Sequence, residues 1–327
     1  MIGQARVKQL CKLERCLKSG ELMNMTSSRQ SRVAATLRPS RASWKRSWLP
    51  YLLVAPLLIL LAIFVFRPVI YSLYLSLQAW QLGSSQPVFI GFENYLKLFA
   101  SPNFWNALRN SLLYTVLIGG LSLISGLGLA LALRHVVTLR EAWQAIFFLP
   151  VAATMSAMAV VWRFILNPAV GPLNAAVSAV GLPPQDWLNS DLWAHVAVIW
   201  VGVWASAGYA MVLFSAGLTA IPRELHEAAA IDGARPLQQF RLITLPLLAP
   251  TMLFTVVIIT LRAMENFDTI RILTDGGPLN ATQTLSHLLF QEGFQFFNAG
   301  YASSLAVIYF LILLGMAGVQ LRAARER

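Results

Sequence analysis

The sequence predicts an all-α membrane protein, a polytopic bundle of about six transmembrane helices. Composition is the first observation: 57% of the 327 residues are hydrophobic and 12% are charged, about half the charge of an ordinary soluble domain. Mean hydropathy, at +0.62, agrees. The second observation is six runs without Asp, Glu, Lys or Arg, at 47–66, 110–133, 142–162, 192–222, 242–261 and 293–321. Each is near or above the roughly 20 residues a helix needs to cross ~30 Å of hydrocarbon. A membrane barrel would show alternating segments of ~10 residues instead.

Charge sets the orientation. The net charge of +11 could suggest nucleic acid, but basic residues from Arg6 to Arg46 crowd ahead of the first span. That is the positive-inside pattern, which places the N-terminus in the cytoplasm, and no nucleic-acid partner is expected. An even number of spans returns the C-terminus to the same side, where Arg322, Arg325 and Arg327 agree. So do Arg134 and Arg140 between spans two and three, and Arg223, Arg235 and Arg241 between four and five. The external 167–191 loop has neither Lys nor Arg; Arg67, Lys97, Arg109 and Arg271 are sparse exceptions.

The expected organisation is a basic tail over 1–46, a permeation domain over 47–322 and a short tail over 323–327. The first tail is polar enough to be disordered. Met23 and Met25 within it are alternative starts, and Cys11 and Cys16 are expected to be unpaired thiols in a reducing compartment. No secretory cleavage site follows the first apolar run, and "VIYSLYLSL" continues in helical style beyond Arg67 and Pro68. The external loop 78–104 holds a short interfacial helix around Tyr95 to Phe99. In span two, Gly119, Gly120, Gly126 and Gly128 predict close helix approach. Loop 265–292 contains a strong turn signal from Asp275 to Pro278.

One segment, 220–246, leaves the membrane although apolar runs flank it. Pro222 suits a helix start, and Glu224 suits the positive end of its dipole. Leu225, Ala228, Ala229 and Asp232 share one face at helical spacing. Ala228 and Ala229 keep that face low, so another surface can approach. Gly233 can take the positive φ that ends a helix. Pro236 opens a second helix, and Leu245 with Pro246 marks the start of span five. Ten or so residues make no stable helix alone, so packing against this protein or a partner must hold it. Glu227 is either a solvated carboxylate or one that meets a cation at an interface.

The letters of this segment resemble a known signature. Glu227-Ala228-Ala229, three residues, Gly233, nine residues, Ile243, one residue and Leu245-Pro246 is similar to the EAA motif of permease subunits of bacterial ABC importers. "PYLLVAPLLILLAIFVFRPVIYSLYLSL", "FLPVAATMSAMAVVWRFILNPAVGPLN" and "ILTDGGPLNATQTLSHLLFQEGF" are similar to carbohydrate-importer permeases of the maltose and glycerol-3-phosphate type. The turn formed by Thr274, Gly276, Gly277 and Pro278 resembles the first of two paired permeases. The resemblance spans about 48–321 and implies the type I, MetI-like transmembrane fold. It implies coupling helices that dock on a cytoplasmic ATPase, with Glu227, Ala228, Ala229 and Gly233 as the docking surface and Ile243, Leu245 and Pro246 leading motion into span five. A second homologous permease and an extracytoplasmic solute-binding protein are further implied partners besides the lipid bilayer. Thr274, Gly276, Gly277 and Pro278 would face the binding protein.

Residue chemistry adds limits. No Gly-Lys pair occurs anywhere, so the chain has no G-x-x-x-x-G-K phosphate loop and ATP must be hydrolysed on another subunit. No cofactor or metal is expected. Polar groups within the membrane are costly and usually functional. Arg163, Trp204, Arg262, Asn266 and Asp268 are the candidate substrate path, with Arg262 and Glu265 close enough in sequence to pair. The bland alternative makes them boundary residues that snorkel to the interface. His195 and His287 are expected near the outer face, and Trp200 and Tyr209 either stack on a sugar or pack. A sugar is the expected solute and glycerol-3-phosphate the alternative. A secondary transporter would show midplane ion sites or broken helices in matching halves. A membrane enzyme would show a motif such as H-E-x-x-H, and neither pattern is visible.

Overall fold

The computed structural model describes residues 49–325 apart from 82, 84–85 and 136–138. Cys11, Cys16 and the whole basic segment 1–46 lie outside the described residues. The chain divides into two compact units, 1–66 and 67–327. In the first, α1 (Leu49–Leu61) passes into a π-helical turn over Ala62–Phe66. Its large side chains, among them Tyr51, Leu57 and Phe64, are exposed. A helix apolar on every side belongs in lipid or in a large core.

The second unit begins with α2 (Arg67–Ser76) and a two-stranded antiparallel ladder, β1 (Gln78–Ala79) with β2 (Val88–Phe89). Then come α3 (Glu93–Ala100), α4 (Pro102–His135), α5 (Arg140–Ala152), α6 (Met155–Ile165), α7 (Pro172–Ala179) and α8 (Asp191–Thr219). After these follow α9 (Arg223–Ile231), α10 (Pro236–Gln239), α11 (Leu245–Met264), α12 (Phe267–Leu273), α13 (Leu285–Phe290) and α14 (Ala299–Arg325). Among the described residues, five stretches are long and apolar enough to cross a membrane: Tyr51–Ser76, Pro102–Arg134, Asp191–Thr219, Pro236–Leu273 and Ala299–Ala323. A sixth results if α5 and α6 count as one span.

That pair bends the third apolar run, 142–162. α5 and α6 meet at 97°. Pro150 cannot donate to the carbonyl of Ile146, and Ala153 and Thr154 take extended backbone with ψ of 154° and 134°. Two extended residues turn the axis where hydropathy alone reads an unbroken run. The first apolar stretch continues past Arg67 to Ser76, in line with the helical style of the sequence beyond Pro68. The last helix starts at Ala299 rather than 293, because Phe297 takes φ of +55° and interrupts the chain just before it. The same helix runs to Arg325, so the predicted tail from 323 is helical over most of its length.

The core lies where α4, α8 and α11 meet, around Ala130, Met211, Phe214, Leu218, Leu248 and Ile259. Small residues allow the approach. A Cβ on Gly126 would sit 2.5 Å from the Cβ of Ala210, so α4 and α8 touch there through backbone. Gly119 is in ordinary contact range of Thr260, and nothing lies near Gly120 or Gly128. The spacing of glycines could not tell these positions apart, because only the facing helix decides which one is crowded. Gly208 of α8 lies directly against the carbonyl oxygen of Phe147, leaving no room for a side chain between α8 and α5.

Two buried amides organise the loops. Asn94 of α3 donates to the carbonyls of Ser76 and Gln78, both at 2.9 Å, and ties the short helix to the end of α2. Asn174 of α7 donates to Pro168 and Gln185, and its oxygen accepts from Trp187 Nε1 at 2.7 Å. Such amides satisfy loop backbone that apolar packing would strand.

Candidate functional site: an exposed helix, a polar cavity and a braced loop

The segment that leaves the apolar runs forms α9, and no residue of it is buried. Glu227, Ala228 and Gly233 are exposed and Ala229 is half-buried. The helix ends as expected. Gly233 takes φ of +79°, its N–H reaches the Ala230 carbonyl, and the Ala234 N–H reaches that of Ala229 at 2.9 Å. This pair of bonds is a Schellman stop, which favours glycine at the left-handed position. Gln238 then accepts from the Arg235 N–H at 2.7 Å and starts α10.

α11 begins at Leu245 with Pro246 in its first turn, but it continues a helical run that starts earlier. The helical run starts at Pro236, and a π turn over Phe240–Thr244 carries it into α11. The Leu245 N–H bonds to the Phe240 carbonyl, five residues back. Pro246 has no N–H to offer the carbonyl of Leu242, so the wider turn falls where the ladder is already interrupted. Ile243 is half-buried, while Leu245 and Pro246 are exposed.

Arg262, Asn266 and Asp268 come together at the far end of this run. With Glu265, Ser206 and Gly202 they line a cavity of about 280 Å³. Arg262 does not pair with Glu265, as its sequence spacing allowed. Its guanidinium lies 4.9 Å from the centre of the Tyr209 ring, a cation–π contact across α8 and α11. Among the described residues Arg262 and Glu265 form no ion pair. The Asn266 side-chain nitrogen is buried without a hydrogen-bond partner. Arg163 and Trp204 lie elsewhere. Arg163 lines a separate cavity with Asn167, Asn189 and Asp275. Trp204 packs edge-on against Trp162 at 5.5 Å. The other aromatics flagged by sequence divide as well: Tyr209 meets Arg262, whereas Trp200 is exposed.

Beyond α12 the turn carrying Thr274, Gly276, Gly277 and Pro278 is braced from inside. Thr274 and Thr282 share a 2.7 Å hydroxyl contact, and Thr282 also donates to the Gly277 carbonyl. Asn110 of α4 donates to the carbonyls of Ala281 and Gln283. Gly276 is buried, with φ of +79°, and a Cβ there would meet the His287 ring at 3.0 Å. The part of the turn that reaches out is Leu279, fully exposed, with Asn280 beside it.

His287 is fully buried rather than interfacial. Its Nε2 lies 3.1 Å from Asp275 Oδ1, and Arg271 holds the same carboxylate oxygen. A carboxylate can only accept, so Nε2 carries the proton and Nδ1, which has no partner, is bare. Burial pushes the imidazole below its ordinary range, against the pull of Asp275. Partial burial works to raise the Asp275 carboxyl but is outweighed by the hydrogen bonds from Arg271 and His287, so it titrates low. Sequence reading missed this trio because its members meet only after the chain reverses at Gly277 and Pro278. An Asp beside a Gly-Gly-Pro turn, with a His twelve residues on, was the available signal. His195, the other histidine singled out by sequence, is likewise engaged, 2.7 Å from the Tyr114 hydroxyl.

The comparisons with known proteins agree with this geometry. A family described as "Binding-protein-dependent transport system inner membrane component" matches residues 46–326. The probable ABC transporter permease protein YurN of Bacillus subtilis (strain 168) is 38% identical over 279 residues, 84% of this chain and 95% of that one. The sn-glycerol-3-phosphate transport system permease protein UgpA of Yersinia pestis bv. Antiqua (strain Antiqua) is 33% identical over 292 residues, 89% of this chain and 99% of that one. A chain in the crystal structure of a bacterial alginate ABC transporter, in complex with an alginate pentasaccharide-bound periplasmic protein, superposes with a TM-score of 0.75. It is 26% identical, and the match covers 86% of this chain and 96% of that one. A match along nearly the whole bundle, EAA segment included, makes this chain a member of the binding-protein-dependent inner membrane component family, a permease subunit of an ABC importer.

Proposed function

We propose that the chain carries a neutral, polyhydroxylated solute, a sugar or sugar-like molecule, into the cytoplasm. It would do so beside a second homologous permease, with ATP hydrolysed on separate subunits. The observation that carries the coupling is α9, a helix of nine residues with none buried. So short a helix is unstable alone in water, and its exposed Ala228, beside the half-buried Ala229, leaves room for a partner surface against Glu227. The Arg-rich ends of the neighbouring spans support a cytoplasmic place for α9 and for both termini. Leu279, at the other end of the run that starts at Pro236, is the natural contact for an extracytoplasmic solute-binding protein, with Thr274, Gly276, Gly277 and Pro278 shaping the turn beneath it.

The cavity chemistry favours a neutral solute over a phosphate ester. Glu265 and Asp268 oppose one cation, Arg262, which already lies over Tyr209. Carboxylates and the free Asn266 amide match hydroxyl donors and acceptors, whereas a phosphate would be repelled. Uptake into proteoliposomes of the whole transporter, with labelled oligosaccharides and glycerol-3-phosphate side by side, tests this. Asn266→Ala should weaken sugar uptake about fivefold, the worth of one hydrogen bond of about 1 kcal/mol. Uptake of glycerol-3-phosphate alone, unaffected by that substitution, would overturn the assignment.

A further inference from the structure

A second cavity, of about 370 Å³, opens at the α9 end of the bundle, where α4, α5, α8 and α9 converge. Arg134, Arg140 and Arg223 line it together with Ser215, His226 and Glu227. Three guanidiniums thus face one carboxylate, and among the described residues none of the three is ion-paired. Arg134 reaches His226 Nε2 at 3.5 Å, so α4 is tied to α9 by a contact that leaves the guanidinium charge uncompensated. The positive-inside pattern asks for arginines near the membrane but not for their convergence on a cavity.

Two further observations show that the cavity is prepared for a ligand. Ser215 is 6% exposed and its hydroxyl has no hydrogen-bond partner. A helical serine commonly bonds back to a carbonyl one turn earlier, as Thr219 does to the Ser215 carbonyl itself; Ser215 does not. The Arg140 Nε is likewise buried and unpartnered. Buried donors without acceptors are costly, and an anion in the cavity that both residues line would offer them acceptors.

We propose that this cavity binds a phosphate anion, supplied either by the headgroup of an anionic phospholipid or as free inorganic phosphate. Guanidiniums suit it, because their planar forks match phosphate oxygens, and basic pockets between spans on the cytoplasmic side take lipid headgroups. Because Glu227 and His226 belong to α9 and Arg140 is the first residue of α5, the bound anion would clasp the coupling helix to the start of α5. The lipid source rests on the cytoplasmic placement of α9 proposed above; the free anion does not.

The test uses the purified full chain. Titration calorimetry with inorganic phosphate in neutral detergent forms one arm. Native mass spectrometry after reconstitution in phosphatidylcholine vesicles, with or without phosphatidylglycerol, forms the other. The proposal predicts retention in at least one arm, and which arm responds identifies the source. Arg140→Gln should weaken it about tenfold, as for a charge-assisted hydrogen bond lost from an otherwise intact site. Ser215→Ala, which leaves charge and packing in place, should weaken it as well, and Arg322→Gln, at an exposed position of α14 outside the cavity lining, should leave it unchanged. No binding in either arm, or equal loss with Arg322→Gln and Arg140→Gln, would overturn the proposal. A reporter fused after Gly233 measures the side of α9 independently, so a failed orientation and a failed site remain distinct.

Discussion

Replacing Gly233 isolates the backbone that stops α9. Nothing lies within 4 Å of a Cβ built there, so a side chain meets no obstacle and the effect arises from φ alone. At +79° an L-residue with a Cβ pays the left-handed penalty of about 1–2 kcal/mol. Asparagine bears this region better than other residues with side chains. Gly233→Ala should therefore open the Schellman bonds about fivefold to thirtyfold more often, and Gly233→Asn should open them less. Hydrogen exchange at the amides of Gly233 and Ala234, which bond to Ala230 and Ala229, reads this directly. Equal protection in the wild type and the alanine variant would refute the reasoning. So would equal loss in the asparagine and alanine variants.

Three other outcomes follow from particular contacts. Acid should loosen the loop around His287: its pKa is held below the ordinary 6.5, so below that value the unfolded state gains its proton first and stability falls. Asp275, also held low, adds to the loss only at more acidic pH. Thermal unfolding from pH 7.5 to 5 should show this decline, and His287→Gln should flatten it over the part of that range where histidine titrates. Gly208→Ala should destabilise the bundle by about 1–3 kcal/mol through overpacking against Phe147, seen as a lower melting temperature, while Gly128→Ala, in open space, should not. Leu279→Asp should leave folding intact, since the side chain is fully exposed, yet weaken capture of the partner binding protein in a pull-down.

Much of the bundle was legible because charge-free runs of spanning length have few other uses. The stop at Gly233 was legible too, since positive φ is a local demand that a single letter can meet. Features that depend on a distant partner were not. The elbow between α5 and α6 needs only two extended residues after Pro150. Arg262 could be matched by spacing to Glu265, but Tyr209, on another helix, holds it instead. Thr274 to Pro278 looked like a contact surface. Thr274 also braces the turn through Thr282, and the neighbouring Leu279 is the most exposed part of it. Arg163 and Trp204 carried the same signal of polarity or aromaticity within a span as Arg262, and only the folded bundle separates them from the cavity.

ATP hydrolysis on a separate subunit is proposed to move this chain through α9. Substituting Glu227 with alanine in the assembled transporter tests it most directly, with solute-stimulated ATP hydrolysis and uptake measured on the same proteoliposomes. Glu227 is exposed, so the bundle should fold and insert as before. Uptake and solute stimulation should both fall by about tenfold or more, the loss of one charge-assisted contact at an interface, while the membrane level of the chain is unchanged. Full uptake with undiminished stimulation in that variant would contradict it.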